Sequence, residues 1–128
     1  LAIQEYQIYL KTYRNDPIAY RLIGDSYVNL NNYQDAIINY RKAAELYNYE
    51  DLQSLYKLGE SYFNIEDYNN AAKYFKSALK INYDHAQSHA YLASTYTILK
   101  KYREAKKECD ILYMLDRESY NNIDYCIN

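Results

Sequence analysis

Apolar residues along this chain follow a helical rhythm that is itself repeated. Tyr20, Ile23, Tyr27 and Leu30 fall at i, i+3, i+7 and i+10, one face of a helix. Leu52, Leu55, Leu58, Tyr62 and Ile65 do the same, and so do Leu92, Tyr96 and Leu99. After a short polar turn (Asn31-Asn32, Glu66-Asp67 or Lys100-Lys101) each run is followed by a second. The second runs are Tyr33, Ala36, Ile37, Tyr40, Ala43 and Ala44; then Tyr68, Ala71, Ala72, Phe75, Ala78 and Leu79; then Tyr102, Ala105, Cys109, Leu112 and Leu115. Landmarks return at a fixed interval: Tyr27 to Tyr62 is 35 residues and Tyr62 to Tyr96 is 34. A period in this range predicts stacked helix pairs rather than one globule around a central sheet.

Local chemistry agrees with that division. Asp16 is an N-cap with Pro17 at the first helical position, where its missing N–H costs nothing. Asn32 is placed to cap the partner helix, which runs out near Leu46. Asp84, with Gln87 three residues on, reads as a capping box opening the third unit. Gly24, Gly59 and Ala93 hold one equivalent position, and Ala36, Ala71 and Ala105 another. Small residues facing each other let two helix axes approach to the usual 8–10 Å or closer.

These motifs carry a resemblance to the tetratricopeptide repeat, W-x2-L-G-x2-Y … A-x3-F … P. The chain has Tyr20-x2-Ile23-Gly24-x2-Tyr27 with Ala36-x3-Tyr40, and Leu55-x2-Leu58-Gly59-x2-Tyr62 with Ala71-x3-Phe75. A weaker third copy is His89-x2-Leu92-Ala93-x2-Tyr96 with Ala105-x3-Cys109. The closing proline is replaced by Asn48, Tyr83 and Arg117, and a one-residue insertion falls between Ala36 and Leu58. The implied fold is all-α: a right-handed superhelical solenoid of antiparallel helix pairs. Its units are 16–50, 51–84 and 85–117, preceded by the second helix of a partial repeat at 1–15. Residues 118–128, with Ile123-x2-Cys126-Ile127, are a capping helix or the start of a further repeat. Both ends fall within a unit, so a segment of a longer array is expected.

The resemblance also implies a concave groove lined by the first helices. Repeat positions map its lining to Ile18, Arg21, Asp25, Val28 and Asn29, then Gln53, Tyr56, Glu60, Phe63 and Asn64 beside Lys57. The third copy gives Gln87, Ala90, Ser94, Thr97 and Ile98 beside Tyr91. Arg21, Asp25, Asn29, Gln53, Tyr56, Lys57, Glu60, Asn64, Gln87, Tyr91 and Ser94 are the candidate partner-binding residues. Amides there hydrogen-bond a peptide backbone, and tyrosines give contact area at low entropic cost. The competing reading is a merely solvated helix face. Chaperone-binding members of the family clamp a C-terminal carboxylate with cations and amides. Asp25 and Tyr91 break that clamp, since an acid repels the carboxylate, and Asp25 with Glu60 suits a lysine or arginine instead.

Composition narrows the function further. A net charge of −2 lacks the basic footprint of a nucleic-acid binder. No apolar run approaches a membrane span. There are only two glycines, both used in helix packing, and no H-E-x-x-H, G-x-S-x-G or phosphate-cradling loop. The expectation is a non-catalytic scaffold without metal or cofactor, binding a protein or peptide. Self-association into a homo-oligomer is the alternative, as is a scaffold segment of a longer multidomain protein, an enzyme included. A cytoplasmic location fits Cys109 and Cys126 read as free thiols, a disulfide being the other possibility. Tyrosine is abundant, 20 residues of 128, and an A/T-rich coding bias accounts for part of that.

Three clusters lie outside the groove. His85 and His89 sit four apart on one helix face, a chelating spacing with no third ligand nearby; His89 also holds a bulky packing position. Lys100, Lys101, Arg103, Lys106 and Lys107, interleaved with Glu104 and Glu108, read as a solvated face or a dock for an anionic partner. Cys109 replaces the aromatic of its repeat and reads as a small buried hydrophobe.

Overall fold

The computed structural model describes residues 2–127, and every regular element among them is a helix. In chain order these are α1 (Ala2–Thr12), α2 (Pro17–Asn29), α3 (Tyr33–Leu46), α4 (Leu52–Asn64), α5 (Tyr68–Ile81), α6 (Ala86–Ile98), α7 (Tyr102–Leu115), α8 (Arg117–Asn121) and α9 (Asp124–Ile127). Helices α2 and α3, α4 and α5, and α6 and α7 form the tightest pairs. Helix α3 then packs on α4 and α5 on α6, so the pairs pile up in order as a helical-repeat solenoid.

The helix starts follow from side-chain caps. Asp16 accepts from the Ile18 N–H at 3.0 Å, Asn32 from the Asp35 N–H at 3.2 Å, and Asp51 from the Ser54 N–H at 2.9 Å. Asp84 does not cap. Helix α6 is capped at His85, with no side-chain bond to the backbone, because Asp84 lies one residue too early. The Asp84 N–H turns back to Asn82 Oδ1 at 3.1 Å, and exposed Gln87 closes no capping box. His85 Nδ1 instead shares a hydrogen bond with Ser88 Oγ at 2.7 Å.

Inside each pair the first helix ends in a Schellman turn. Asn31, Glu66 and Lys100 adopt φ of 57°, 64° and 61°. The next N–H in each case reaches back to the carbonyl of Tyr27, Tyr62 or Tyr96 at 2.8–2.9 Å. None of the three is glycine, the residue that takes this conformation without steric penalty. The connection between α3 and α4 is the longer one, and it places Asn48 and Tyr49 at φ 56° and 57°.

Small residues set the spacing within pairs. A Cβ built on Gly24 would lie 2.5 Å from the Tyr40 ring, and one on Gly59 2.6 Å from the Phe75 ring. In the third pair Ala93 carries its methyl, and the facing residue is Cys109 instead of a ring. Ala36, Ala71 and Ala105 are completely buried. The core runs unbroken from α3 through α7 by way of Leu55, Leu58, Phe75, Ala78 and Leu92.

The two ends differ. Helix α1 packs on α2 but buries none of its own residues, and Ala2 is exposed where its counterparts are enclosed. At the other end α8 and α9 fold back so that Tyr120, Ile123 and Tyr125 pack on Ala93, Cys109 and Leu112. A disulfide joins Cys109 on α7 to Cys126 on α9, with Cα atoms 5.3 Å apart. This overturns the free-thiol expectation. Loss of the ring at position 109 opens the room into which the folded-back segment brings Cys126.

Candidate functional site

Helices α2, α3 and α4 meet through one carboxylate. Asp25 Oδ1 on α2 accepts from Lys57 Nζ on α4 at 2.6 Å and from the Tyr40 hydroxyl on α3 at 2.5 Å. The ion pair is partly open to solvent, the Lys57 and Asp25 side chains being 26% and 32% exposed, so it contributes no more than about 1 kcal/mol. Burial first, and then the bond to Asp25, hold the Tyr40 hydroxyl well above the usual tyrosine range. It therefore remains a donor.

A cleft of about 290 Å³ opens beside this junction, between α2 and α4. Of the sequence candidates it brings together Asp25, Asn29, Lys57, Glu60 and Asn64, with Val28 also at its edge. It adds Tyr33, Tyr40 and Ser61, which sequence reasoning did not assign to the groove. Tyr40 had a visible role as a packing ring, and it performs both tasks because its hydroxyl reaches past Gly24 to Asp25.

Tyr91 on α6 and Tyr56 on α4 adjoin the cleft residue Glu60. The Tyr91 hydroxyl donates to Glu60 Oε2 at 3.1 Å, and the two tyrosine rings meet edge-on at 5.9 Å. Tyr91 also stacks on Phe75 at 4.9 Å, so half of it belongs to the core. Burial, with Glu60 adding to it, pushes the Tyr91 hydroxyl up to about 12 and raises Tyr56 as well. Both stay neutral donors in the physiological range. Arg21, Gln53, Gln87 and Ser94 are not drawn into this arrangement: among the described residues they make no side-chain hydrogen bond or ion pair.

Away from the cleft, His89 is 1% exposed and both ring nitrogens are engaged. Nδ1 lies 2.6 Å from Glu108 Oε1 and Nε2 2.6 Å from the Tyr83 carbonyl. Two acceptors on one imidazole fit the doubly protonated ring. Burial lowers the His89 pKa, but the bonds to Glu108 and Tyr83 outweigh it and the net shift is upward. Glu108, read from sequence as part of a solvated face, is thus the partner of a buried histidine whose pKa it raises. No group of three or more metal-binding side chains occurs among the described residues. Of the basic cluster, Lys106 pairs loosely with Asp110 at 3.8 Å.

Helix pairs stacked in sequence define a helical-repeat protein. Residues 29–108 match the family model described as anaphase-promoting complex, cyclosome, subunit 3, and residues 1–51 match a tetratricopeptide repeat model. Both are models of tetratricopeptide repeats, and the chain belongs to the tetratricopeptide repeat family. Among solved structures, a crystal structure of MamA superposes with a TM-score of 0.86 at 19% identity, over 98% of this chain and 80% of that one. A second MamA crystal structure gives 0.88 at 20% identity over 97% and 69%. A MamA R50E mutant gives 0.72 at 24% over 78% and 72%. At these identities the likeness is one of fold. No curated protein matches the sequence.

Proposed function

We propose that this chain is a non-catalytic scaffold that binds a protein or peptide segment along the inner wall of α2, α4 and α6. The observation carrying this reading is the cleft beside Asp25, where charged and amide side chains from two repeats face one cavity bordered by tyrosines. Amides and hydroxyls of this kind pair with a peptide backbone, and an extended segment fits such a groove. Helices α3, α5 and α7 contribute mainly packing. Among the described residues no helix is long and apolar enough to cross a membrane.

The test is affinity capture followed by mass spectrometry. Asn29→Ala, Glu60→Ala and Asn64→Ala are combined in one variant; Lys76→Ala and Lys107→Ala, both exposed on second helices, form the control. Partners lost from the first and kept by the second support groove binding, provided the circular dichroism spectra agree. Identical partner lists for both variants would remove it.

Self-association has one observation in its favour. The α1 segment leaves Ile8 and Tyr13 65% and 57% exposed, an apolar face of the kind that a second copy covers. Light scattering across a concentration range separates the readings, because only this one predicts growth in mass without another protein.

A further inference from the structure

Ser26, Ser61 and Thr95 occupy one equivalent place in the three helix pairs, 35 and then 34 residues apart. Ser26 Oγ donates to the Leu22 carbonyl at 3.1 Å and Thr95 Oγ1 to the Tyr91 carbonyl at 2.6 Å, each one turn back on its own helix. Ser61 breaks the series. It is 1% exposed, yet its Oγ has no hydrogen-bond partner among the described residues. A buried hydroxyl left unsatisfied carries an uncompensated desolvation penalty. Departures from local consistency of this sort concentrate where a site must serve something other than stability. Ser61 lines the cleft between α2 and α4.

The charges around it are unbalanced. Lys57 is committed to Asp25, which also receives the Tyr40 hydroxyl. Glu60 meets only the neutral Tyr91 and Tyr56 hydroxyls, and no cation pairs with it among the described residues. Two carboxylates against one ammonium leave the cleft with one net negative charge. Asn64 spends its Nδ2 on the Glu60 backbone carbonyl at 2.9 Å, which leaves its Oδ1 as an acceptor.

We propose that this cleft binds the ammonium group of a lysine side chain of the partner segment. Glu60 supplies the counter-charge, and Ser61 Oγ and Asn64 Oδ1 supply the neutral acceptors. An ammonium has three donors radiating from one point, which matches one carboxylate and two neutral oxygens from different side chains. A guanidinium presents a flat fork that wants two parallel acceptors, and a carboxylate ligand would meet Glu60 with Lys57 already engaged. The assignment rests on the groove reading above and names the side chain that reading would recognise.

The probes are acetylated, amidated peptides Ala-Ala-X-Ala-Ala with X as lysine, arginine, norleucine or glutamate, titrated into the isotopically labelled chain and followed by NMR. The lysine peptide is expected to shift the Ser61 backbone amide and the Asn64 side-chain amide. It should bind about fivefold tighter than the norleucine or glutamate peptide, the size of one partly exposed charge pair. Glu60→Gln, which keeps an acceptor for Tyr91, should erase that advantage. Ser61→Ala should raise the melting temperature of the free chain while weakening the lysine peptide, a combination that a purely structural hydroxyl does not give. Equal binding of the lysine and norleucine peptides overturns the lysine assignment and leaves the groove standing. Tighter binding of arginine than lysine also overturns it. Absence of any response at these residues up to about 10 mM peptide removes the subsite. The groove itself then stands or falls on the capture experiment.

Discussion

The ring of Phe75 lies directly over Gly59, so close that a Cβ on residue 59 would stand 2.6 Å from Phe75 Cε1. The same contact recurs between Tyr40 and Gly24, and in the third pair a methyl at Ala93 coexists with the smaller Cys109. One side of the crossing grows only where the other shrinks.

Gly59→Ala is therefore expected to destabilise the chain despite the better helix propensity of alanine. Overpacking costs about 1–3 kcal/mol, and the propensity gain of about 1 kcal/mol offsets part of it. Urea unfolding of Gly59→Ala, Phe75→Leu and the double variant measures this. The double should be less destabilised than the sum of the singles by about 1 kcal/mol, and strict additivity would contradict the steric account.

The His89–Glu108 bond ties stability to pH. The folded-state pKa of His89 is raised above 6.5, so its contribution is fully present below about pH 6.5 and fades as pH climbs through the higher folded value. Tyr83 and Asp84 act on the ring in the same direction as Glu108. Melting temperatures compared from about pH 5.5 to 8.5 should fall more steeply for the natural chain than for Glu108→Gln. Parallel curves would show that Glu108 does not hold the charge.

Reduction of Cys109–Cys126 should loosen the C-terminal end first. Closing a loop of this size contributes about 3 kcal/mol, equivalent to roughly 10 °C in melting temperature for a chain of this length. Hydrogen exchange should rise in α8 and α9 before α4 responds. Cys126→Ser should melt like the reduced chain and ignore added reductant. Two alkylatable thiols in the untreated protein would refute the bridge.

Lys100 pays a conformational cost at φ 61° that glycine does not. Lys100→Gly should therefore gain about 0.5 kcal/mol after the larger unfolded-state entropy of glycine is taken into account. A shift of the urea midpoint to lower concentration would argue against strain at this turn.

Helix pairing could be read from the chain because its determinants are local: the 3.6-residue face through Leu55, Leu58 and Tyr62, the caps at Asp16 and Asn32, and small residues at fixed intervals. Repeat positions supplied by the family resemblance named Asp25, Lys57 and Glu60 together, and the three line one cleft. Pairings between elements were harder to see. Glu108 sits in a run of lysines and glutamates that looks uniformly solvated, and its partner His89 lies 19 residues away. The Cys109–Cys126 bridge was visible only as the less favoured alternative to two free thiols. The missing aromatic at Cys109 was the signal that something else fills that space. Asp84 misled because a good capping residue one step early cannot reach the first free N–H groups of α6.

On α4, Gly59 faces the second helix while its neighbour Glu60 faces the cleft. The ruler that fixes the distance between helices is thus carried on the back of the wall and owes nothing to the residues displayed on its front. Under the groove proposal, exchanging Asn29, Glu60 or Asn64 alters partner preference without shifting the frame that presents them, so recognition can drift while the architecture stays still.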